Sequence, residues 1–306
     1  MASKMKLQNA IEFLVTYSWA FTIILIVALV FLYLQIFNPY AHINYATPGS
    51  CYVYRPYGPF NNTDARLEGL CNDAPPEFVA SINTSSTLGY ALYTNNSALA
   101  YYGSGDKNRT FIAWIYVKAY EPDINSWWMI GGWYGTPVFV NGGEQALLIL
   151  HGASCEPQAD LYFQTWADDA CSTQLLVPLD AWEMVGYVYP YNGNYTQVEL
   201  ILNNETQVLS ISRPINVTYT SYPVFVIGGQ YSNGYIANVQ VYNTTLSNQE
   251  ILALYKEGIG GAPIDLNNLI AWYPLNGNLN DTSGNNITLD EVQGTTSFVS
   301  YEATIH

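Results

Sequence analysis

The closest approach to a metal site in this sequence is a group of three polar side chains. Asn278, Asp281 and Asn285 lie within the segment NLNDTSGNN, and carboxylate and amide oxygens are the ligands that Ca²⁺ takes in proteins. The same residue types are favoured in tight turns, where their side chains accept hydrogen bonds from nearby backbone N–H groups. The segment therefore predicts either a calcium site or a structural turn, and no other cofactor is expected.

A dense run of aromatic residues is the second candidate site. The segment WWMIGGWYG contains Trp127, Trp128, Trp133 and Tyr134. Exposed rings of this kind stack on sugars, but Trp and Tyr rings are packed in protein cores at least as often. The run predicts either a carbohydrate-binding surface or part of the core.

Arrangements that would support catalysis are missing from the sequence. A glycosidase needs two carboxylates about 5–9 Å apart across the sugar bond. No strand with a Glu-x-Asp-x-x-Glu-like pattern is present. Asp160 opens a predicted strand, while Asp168 and Asp169 are in a predicted loop, so these three residues are poor substitutes. The chain also has no Gly-x-Ser-x-Gly elbow and no phosphate-binding loop. We therefore expect a protein that is not an enzyme.

The composition argues against a nucleic-acid partner. Only nine of the 306 residues are Lys or Arg and the net charge is −15, so no basic patch can form. Charged residues make up 11% of the chain, well below the roughly 25% typical of soluble domains. The hydrophobic content of 49% is enough for a substantial core.

Residues 13–37 form a run without charged side chains that would anchor the chain in a membrane. As a helix, these 25 residues span roughly 37 Å, enough to cross a hydrocarbon core of ~30 Å. Lys4 and Lys6 precede the run and the next basic residue is Arg55, so the positive-inside rule places everything after the run outside the cell. Glu12 lies at the entrance of the run, where a carboxylate usually needs a partner.

These N-terminal residues resemble an archaeal type IV pilin precursor with a class III signal peptide. The resemblance rests on the two lysines, on Gln8, on Glu12 four residues later, and on the apolar segment AIEFLVTYSWAFTIILIV. In that family a dedicated peptidase cuts just before the position of Gln8, and many helices then assemble into a filament core. The resemblance implies that Gln8 is the mature amino terminus and that Glu12 pairs with a neighbour's amino group.

Four cysteines agree with an outside location. They include no Cys-x-x-Cys pair, and the three histidines lie far apart in the sequence, so disulfides are a better interpretation than a zinc site. Three connectivities are open. We expect the sequence-local pairs Cys51–Cys71 and Cys155–Cys171, each contributing about 3 kcal/mol.

Glycosylation sequons are frequent throughout the predicted exterior part. An Asn-rich chain produces some sequons by chance, but their spread favours a glycosylated surface protein. The asparagines that begin an Asn-x-Ser/Thr sequon are Asn61, Asn83, Asn95, Asn108, Asn194, Asn204, Asn216, Asn243, Asn280 and Asn286.

From about residue 76 onward the pattern is that of an antiparallel β-sandwich. Short runs rich in Val, Ile, Tyr, Phe and Trp alternate with clusters of Gly, Asn, Asp and Ser. One short helix is predicted at 247–257, where Ser247 and Glu250 form a capping box and Gly258 follows the last turn. In TFIAWIYVKA the alternation places two sets of side chains on opposite faces of one strand, namely Phe111, Ala113, Ile115 and Val117 against Ile112, Trp114 and Tyr116.

A second resemblance covers residues 85–258. The segment GYIANVQVYNTTLSNQEILALY at 234–255 resembles the closing stretch of laminin-G-like, concanavalin A-like jelly rolls, with Asn238 where an acidic residue is usual. The segment LIAWYPLNGNLNDTSGNNITL at 269–289 resembles the opening of the same family. The resemblance implies a circularly permuted jelly roll; the alternative is a truncated second repeat. The residues that match the closing stretch are Gly234, Ile236, Val239, Tyr242, Asn243, Leu246, Ser247, Glu250 and Ile251.

Together these patterns predict a mainly β protein with a long N-terminal hydrophobic helix. We expect a leader at 1–7, a transmembrane or pilin helix at 8–38, a neck with a disulfide loop at 39–75, and a jelly-roll domain at 76–306. The expected function is that of a structural subunit of an extracellular, homo-oligomeric pilus-like filament. Its helix would sit in the membrane before assembly, and its glycosylated lectin-like head would adhere to surface glycans. The alternative is an uncleaved, membrane-anchored carbohydrate-binding protein.

Overall fold

The structure analysed is a computed structural model. It describes residues 22–23, 25–27, 51–54, 66–69, 75–84, 90–103, 106–120, 126–134, 145–151, 159–165, 170–211, 224–229, 231–292 and 295–305. The chain divides into two compact units, Met1–Tyr45 and Ala46–His306.

In the first unit, residues 22–23 and 25–27 are helical. Gln8 and Glu12 lie outside the described residues, so their predicted roles stay predictions. No helix within the part of the chain that the structure describes is long and apolar enough to cross a membrane.

The second unit is built of short β-strands and a few short helices. The helices are α1 at Ser97–Gly103 and α2 at Asn248–Glu257, with a 3₁₀ turn at Tyr301–Thr304. The strands are β1 Cys51–Tyr54, β2 Arg66–Gly69, β3 Phe78–Asn83, β4 Tyr90–Thr94, β5 Arg109–Val117, β6 Ser126–Tyr134, β7 Gln145–His151, β8 Ala159–Thr165, β9 Ala170–Leu176, β10 Trp182–Tyr189, β11 Gln197–Leu202, β12 Glu205–Ser210, β13 Val224–Gly229, β14 Asn233–Tyr242, β15 Leu269–Tyr273, β16 Asp290–Glu291 and β17 Thr296–Ser300.

Two antiparallel sheets form a sandwich, which confirms the antiparallel β-sandwich part of the predicted fold class. The larger sheet has eight strands in the order β12-β11-β10-β5-β14-β3-β17, with β15 also paired to β14. The smaller sheet has seven strands in the order β16-β4-β13-β6-β7-β8-β9. A separate hairpin pairs β1 with β2 and sets Cys51 opposite Gly69.

The main core lies between the two sheets, and β5 shows how the sequence builds it. Phe111, Ala113, Ile115 and Val117 are fully buried in this inner core, as the alternation of the strand predicts. Ile112, Trp114 and Tyr116 belong instead to a second apolar cluster. Because successive side chains of a strand point to opposite faces, the second cluster marks the outer face of the larger sheet.

Helix α2 covers part of that outer face. Its capping box is present as predicted: the Ser247 hydroxyl accepts from the Glu250 N–H, and the Glu250 side chain accepts from the Ser247 N–H. The helix buries Ile251 and Leu254, and the Tyr255 ring stacks on Trp114 with centroids 6.1 Å apart. The helix therefore shields the middle of the sheet face around Trp114.

The C-terminal segment belongs to the same sandwich. Strand β15 pairs with the second half of β14, β16 pairs with β4, and β17 pairs with β3. The alternative of a truncated second repeat is therefore wrong, because these strands complete the two sheets already present.

A buried hydrogen-bond network fixes the junction of β14 and β15. Asn238 adopts φ 49°, and its Oδ1 accepts from Gln240 Nε2 at 2.9 Å and from Trp272 Nε1 at 2.8 Å. Its Nδ2 donates to the Gly261 carbonyl at 2.7 Å. The side chain at this position thus acts as both donor and acceptor, which an amide can do and an ionised carboxylate cannot.

Candidate functional site

The predicted aromatic site is wrong for two of its four residues. Trp128 is 2% exposed and Trp133 is fully buried, so neither ring can stack on an external sugar. Trp133 instead donates its indole N–H to the Leu99 carbonyl at 2.9 Å and packs edge-on against Phe225 at 5.2 Å. The side chains of Trp127 and Tyr134 lie outside the described part of the structure.

The predicted calcium residues build a turn. Asp281 Oδ1 accepts from the N–H groups of Trp272 at 3.0 Å and Ser283 at 2.8 Å. Its Oδ2 accepts from the Ser283 hydroxyl at 2.8 Å and from the Ile287 N–H at 3.0 Å. Four donors therefore occupy the carboxylate, as the structural-turn alternative expects.

The two neighbouring amides make similar local contacts. Asn285 Nδ2 donates to the Ile270 carbonyl at 2.7 Å, and Asn278 Oδ1 accepts from the Asn280 N–H at 3.0 Å. Among the residues that the structure describes, no group of three His, Cys, Asp or Glu side chains is placed to hold a metal ion. Calcium binding stays a prediction without a contact to support it.

Cys171 is disulfide-bonded. Cys71 and Cys155 lie outside the described residues, so each of the two predicted pairings includes one cysteine of which nothing is described. The connectivity remains a prediction.

Most predicted sequons that fall on described residues are at the surface. Asn243 is half-buried and donates to the Tyr102 hydroxyl at 3.3 Å, while Asn61 and Asn216 lie outside the described residues. The exposed sequon asparagines are Asn83, Asn95, Asn108, Asn194, Asn204, Asn280 and Asn286. These asparagines are exposed to solvent, and their glycosylation stays a prediction.

An unpredicted cluster of three aromatic rings lies on the outer face of the larger sheet, two residues along β5 from Trp114. Trp182 of β10 is directly opposite Tyr116 of β5, and Tyr116 is directly opposite Tyr235 of β14. The Trp182 and Tyr116 ring centroids are 5.8 Å apart, and the Tyr116 and Tyr235 centroids are 5.4 Å apart. Trp182 and Tyr116 are half-buried, while Tyr235 is 9% exposed.

Polar residues occupy the next level of the same face, where the strands end. The Lys118 N–H donates to the Asn233 carbonyl, and the Asp180 N–H donates to the Val117 carbonyl, so Asp180, Lys118 and Asn233 lie side by side. Asn233 is opposite Asn83 of β3. Asp180, Lys118 and Asn83 are exposed. We call Trp182, Tyr116, Tyr235, Lys118 and Asp180 the aromatic–polar patch.

Contacts within and behind the patch hold these side chains in place. Lys118 Nζ lies 4.0 Å from the Tyr235 ring centroid, within the range of a cation–π interaction. Trp182 Nε1 donates to the Thr304 hydroxyl at 2.9 Å, and Trp182 packs on Tyr301 with centroids 6.0 Å apart. Burial, and to a smaller extent the neighbouring Asp180 carboxylate, raises the pKa of the Tyr116 hydroxyl, which therefore stays protonated and able to donate.

This arrangement suits a ligand with both an apolar face and hydroxyl groups. The partly exposed rings offer flat apolar surface. Beside them, the Lys118 ammonium, the Asp180 carboxylate and the Tyr116 hydroxyl offer hydrogen-bond donors and acceptors. The sequence did not reveal the patch because its residues come from three strands and a loop that are distant in the chain. The alternation of β5 was the one available signal, since it placed Tyr116 on the face opposite the inner core.

Comparison with known proteins gives a fold and no family. No protein-family model matches the chain, and no curated protein matches it. Among solved structures, it is similar to a candidate carbohydrate binding protein from Bacteroides ovatus, with 14% identity and a TM-score of 0.50 over 83% of this chain and 70% of that chain. At this identity the likeness shows a shared β-sandwich fold.

Two further similar structures have lower TM-scores. One is a native heptameric SAP-like pentraxin from Limulus polyphemus, with 13% identity, a TM-score of 0.43, and coverage of 62% of this chain and 85% of that chain. The other is domain 4 of an extracellular arabinanase from Geobacillus stearothermophilus in complex with arabinotriose. It shows 10% identity and a TM-score of 0.37, over 69% of this chain and 98% of that chain.

Proposed function

We propose that the unit Ala46–His306 is the carbohydrate-binding head of a cell-surface protein. The observation that carries this proposal is the aromatic–polar patch, in which Trp182, Tyr116 and Tyr235 lie side by side on a sheet face with Lys118 and Asp180 next to them. The lectin-like sandwich supports the proposal as a fold that suits it, while the patch supplies the chemistry.

The binding mode follows from the patch. A sugar ring stacks on the exposed parts of Tyr116 and Trp182, and its hydroxyls exchange hydrogen bonds with Lys118 and Asp180. Because the rings are packed against one another and against Tyr301, little side-chain freedom is lost when a ligand binds. The proposal assigns no catalytic residue, and the head acts by adhesion.

A matched pair of substitutions tests the head. Tyr116→Leu keeps an apolar side chain but removes the ring and the hydroxyl. In chains made without N-glycosylation, we expect it to weaken glycan binding on a microarray by about tenfold or more, the effect of about 1.4 kcal/mol. Tyr195→Leu is the control, since Tyr195 is 39% exposed and lies after β10, at the opposite end of that strand from Trp182. Equal glycan binding by both variants and the wild-type chain would contradict the assignment of the patch as the binding site.

For the N-terminal segment, our proposal is a pilin-like helix that assembles into a filament. In support of this proposal, four apolar residues of the segment are helical and exposed. The exposed fractions of Ile23, Leu25, Ile26 and Val27 are 52%, 61%, 54% and 45%. An apolar helical surface of this kind requires either lipid or neighbouring helices to cover it. In the filament, Gln8 supplies the mature amino terminus and Glu12 pairs with a neighbouring amino group; the alternative is an uncleaved membrane anchor.

Mass spectrometry of the intact N-terminus, on protein taken from the native cell surface, separates these two arrangements. A chain that begins at Gln8 supports processing and filament assembly. A chain that begins at Met1 or Ala2 contradicts processing and leaves a membrane-anchored binding protein.

We also propose that the sandwich is a circular permutation of the laminin-G-like order. Strand β15, which resembles the opening strand of that family, follows α2, which resembles its close. The Tyr301 N–H donates to the Glu77 carbonyl at 3.0 Å, so the end of the C-terminal segment lies beside the start of β3. Joining these two points restores the family order without moving a strand.

A further inference from the structure

One sequon asparagine shares a sheet face with the aromatic–polar patch. On β3, Ser81 is opposite Tyr235, and Asn83 is opposite Asn233. Because residues two apart on a strand point to the same side and directly opposed residues share a face, the Asn83 side chain points to the side of the sheet that carries Tyr235. Asn83 is exposed.

The distances within the sheet place Asn83 next to the patch. Neighbouring strands lie about 4.8 Å apart, and diagonal neighbours on adjacent strands lie about 7–8 Å apart. Asn83 is thus one strand from Asn233, a diagonal neighbour of Tyr235, and two strands from Lys118. A sugar attached to Asn83 Nδ2 begins within reach of these three residues.

Other exposed sequons have different surroundings. Asn95 directly follows β4, which belongs to the smaller sheet. Asn194 lies in the loop after β10, at the end of that strand opposite to Trp182. Among the sequon asparagines that the structure describes, Asn83 is the one that pairs with Asn233. The Asn233 carbonyl accepts a hydrogen bond from the Lys118 N–H.

The middle residue of the same sequon is built into the fold. Thr84 is 5% exposed; its Oγ1 donates to the Gly229 carbonyl and accepts from the Ser232 N–H at 3.0 Å. These bonds fix the backbone directly after Asn83. The hydroxyl residue of the sequon is Ser85, which lies outside the described residues.

We propose that the N-linked glycan of Asn83 is a ligand of the aromatic–polar patch in the same chain. The proposal rests on the proposed function and adds a modification that controls it. In the modification, Asn83 Nδ2 forms a bond to the anomeric carbon of a sugar held on a phosphate-bearing carrier; the carrier phosphate leaves and the amide loses one proton. The attached glycan then stacks on the exposed part of Tyr116, beside Lys118.

Tethering explains why even weak sugar binding suffices. A ligand on a short flexible linker has an effective concentration on the order of mM, comparable to the Kd of a weakly bound sugar. The attached glycan therefore occupies the patch for a large fraction of the time. Chains modified at Asn83 have a covered patch, whereas unmodified chains bind glycans of other molecules.

The experiment uses full-length protein from the native cells and, as probe, fluorescently labelled N-glycans released from that protein. Wild-type chain, Asn83→Gln and the control Asn95→Gln are compared at equal probe concentration, and peptide mass spectrometry reports occupancy of each sequon. We expect Asn83→Gln to bind several-fold more probe than wild type, and Asn95→Gln to bind as little as wild type. Adding Tyr116→Leu to Asn83→Gln should remove the gain.

Unglycosylated wild-type chain, made in a host without N-glycosylation, repeats the test without a substitution at Asn83. It should bind the probe as Asn83→Gln does. The inference is overturned if Asn83 is unmodified in the native protein, or if modified and unmodified chains bind the probe equally. Failure of the unglycosylated chain to bind either the released glycans or any glycan on an array would overturn the proposed function itself, whereas binding to array glycans alone would overturn only the inference.

Discussion

The Tyr301 N–H donates a hydrogen bond to the Glu77 carbonyl at 3.0 Å, which joins the end of the C-terminal segment to the start of β3. The chain can be opened instead at the turn at residues 266–267 before β15, where Asn267 is exposed. We predict that a head with the order 267–306, a short Gly/Ser linker, then 76–266 folds with a melting temperature within a few degrees of residues 76–306. Exposed turns tolerate such breaks.

Thermal denaturation followed by circular dichroism checks this prediction. The control carries the same break without the linker, and its two fragments should separate on dilution. A permuted chain that fails to fold while residues 76–306 fold would contradict the permuted arrangement.

Asp281 should stabilise the fold through hydrogen bonds and not through a metal ion. Its carboxylate accepts from Trp272, Ser283 and Ile287, and hydrogen bonds to a charged group contribute about 1.5–3 kcal/mol each. We predict that Asp281→Asn lowers the free energy of unfolding by about 2–3 kcal/mol, measured by urea denaturation. Asn278→Ala, in the exposed part of the same turn, should cost less than about 1 kcal/mol.

Calcium dependence of stability separates a structural turn from a calcium site. The urea midpoint of the wild-type chain should be the same in millimolar Ca²⁺ and in chelator. A large calcium-dependent stabilisation that Asp281→Asn abolishes would show that the metal alternative is correct.

The protein should be more stable in mild acid than at neutral pH. Burial raises the pKa of Glu199 above its ordinary value of 4.5, although a hydrogen bond from Thr206 opposes the shift. Burial likewise raises the pKa of Glu183, opposed by Asn203. A raised pKa means that the folded state holds the proton more tightly, so stability is fully present below the ordinary pKa and is lost as the pH rises through the folded pKa.

The urea midpoint measured from pH 4 to pH 8 tests this expectation. The midpoint should fall with rising pH, and Glu199→Gln, which resembles the protonated acid, should reduce the fall and exceed wild type at pH 7. Glu205→Gln, at an exposed position of β12, is the control and should follow wild type. A wild-type midpoint that rises steadily with pH would refute the expectation.

Trp133 should matter for stability and not for binding. Trp133→Phe loses the hydrogen bond to the Leu99 carbonyl and leaves that buried acceptor without its indole donor, at a cost of about 1–3 kcal/mol. Glycan binding by this variant at a temperature where it is folded should equal wild type. Lost binding with unchanged stability would restore Trp133 to a ligand site.

Local patterns predicted the parts of the fold that depend on neighbours in sequence. The period of two in β5 separated Phe111 from Tyr116 correctly, because burial on each face of a strand follows that alternation. The Ser247–Glu250 capping box located the start of α2, because both of its hydrogen bonds lie within one turn.

The site depended on long-range pairing, which no local pattern contains. The aromatic run at Trp128 and Trp133 was predicted to bind sugar or to be core, and its strand, β6, lies between β13 and β7 in the interior of the smaller sheet. Conversely, Trp114 and Tyr116 share one face of β5, yet α2 packs over Trp114, while Tyr116 meets Trp182 and Tyr235. The packing position of α2 and the alignment of β10, β5 and β14 determine which aromatic side chains remain partly exposed to solvent.

The most direct measurement is photo-crosslinking of the unglycosylated full-length chain with a diazirine-bearing form of the best array glycan, mapped by peptide mass spectrometry. The account predicts crosslinks on the peptides that carry Tyr116, Lys118 and Trp182, and their loss when unlabelled glycan competes. Crosslinks confined to the strands of the smaller sheet, with none on these peptides, would contradict the assignment of the aromatic–polar patch as the binding site.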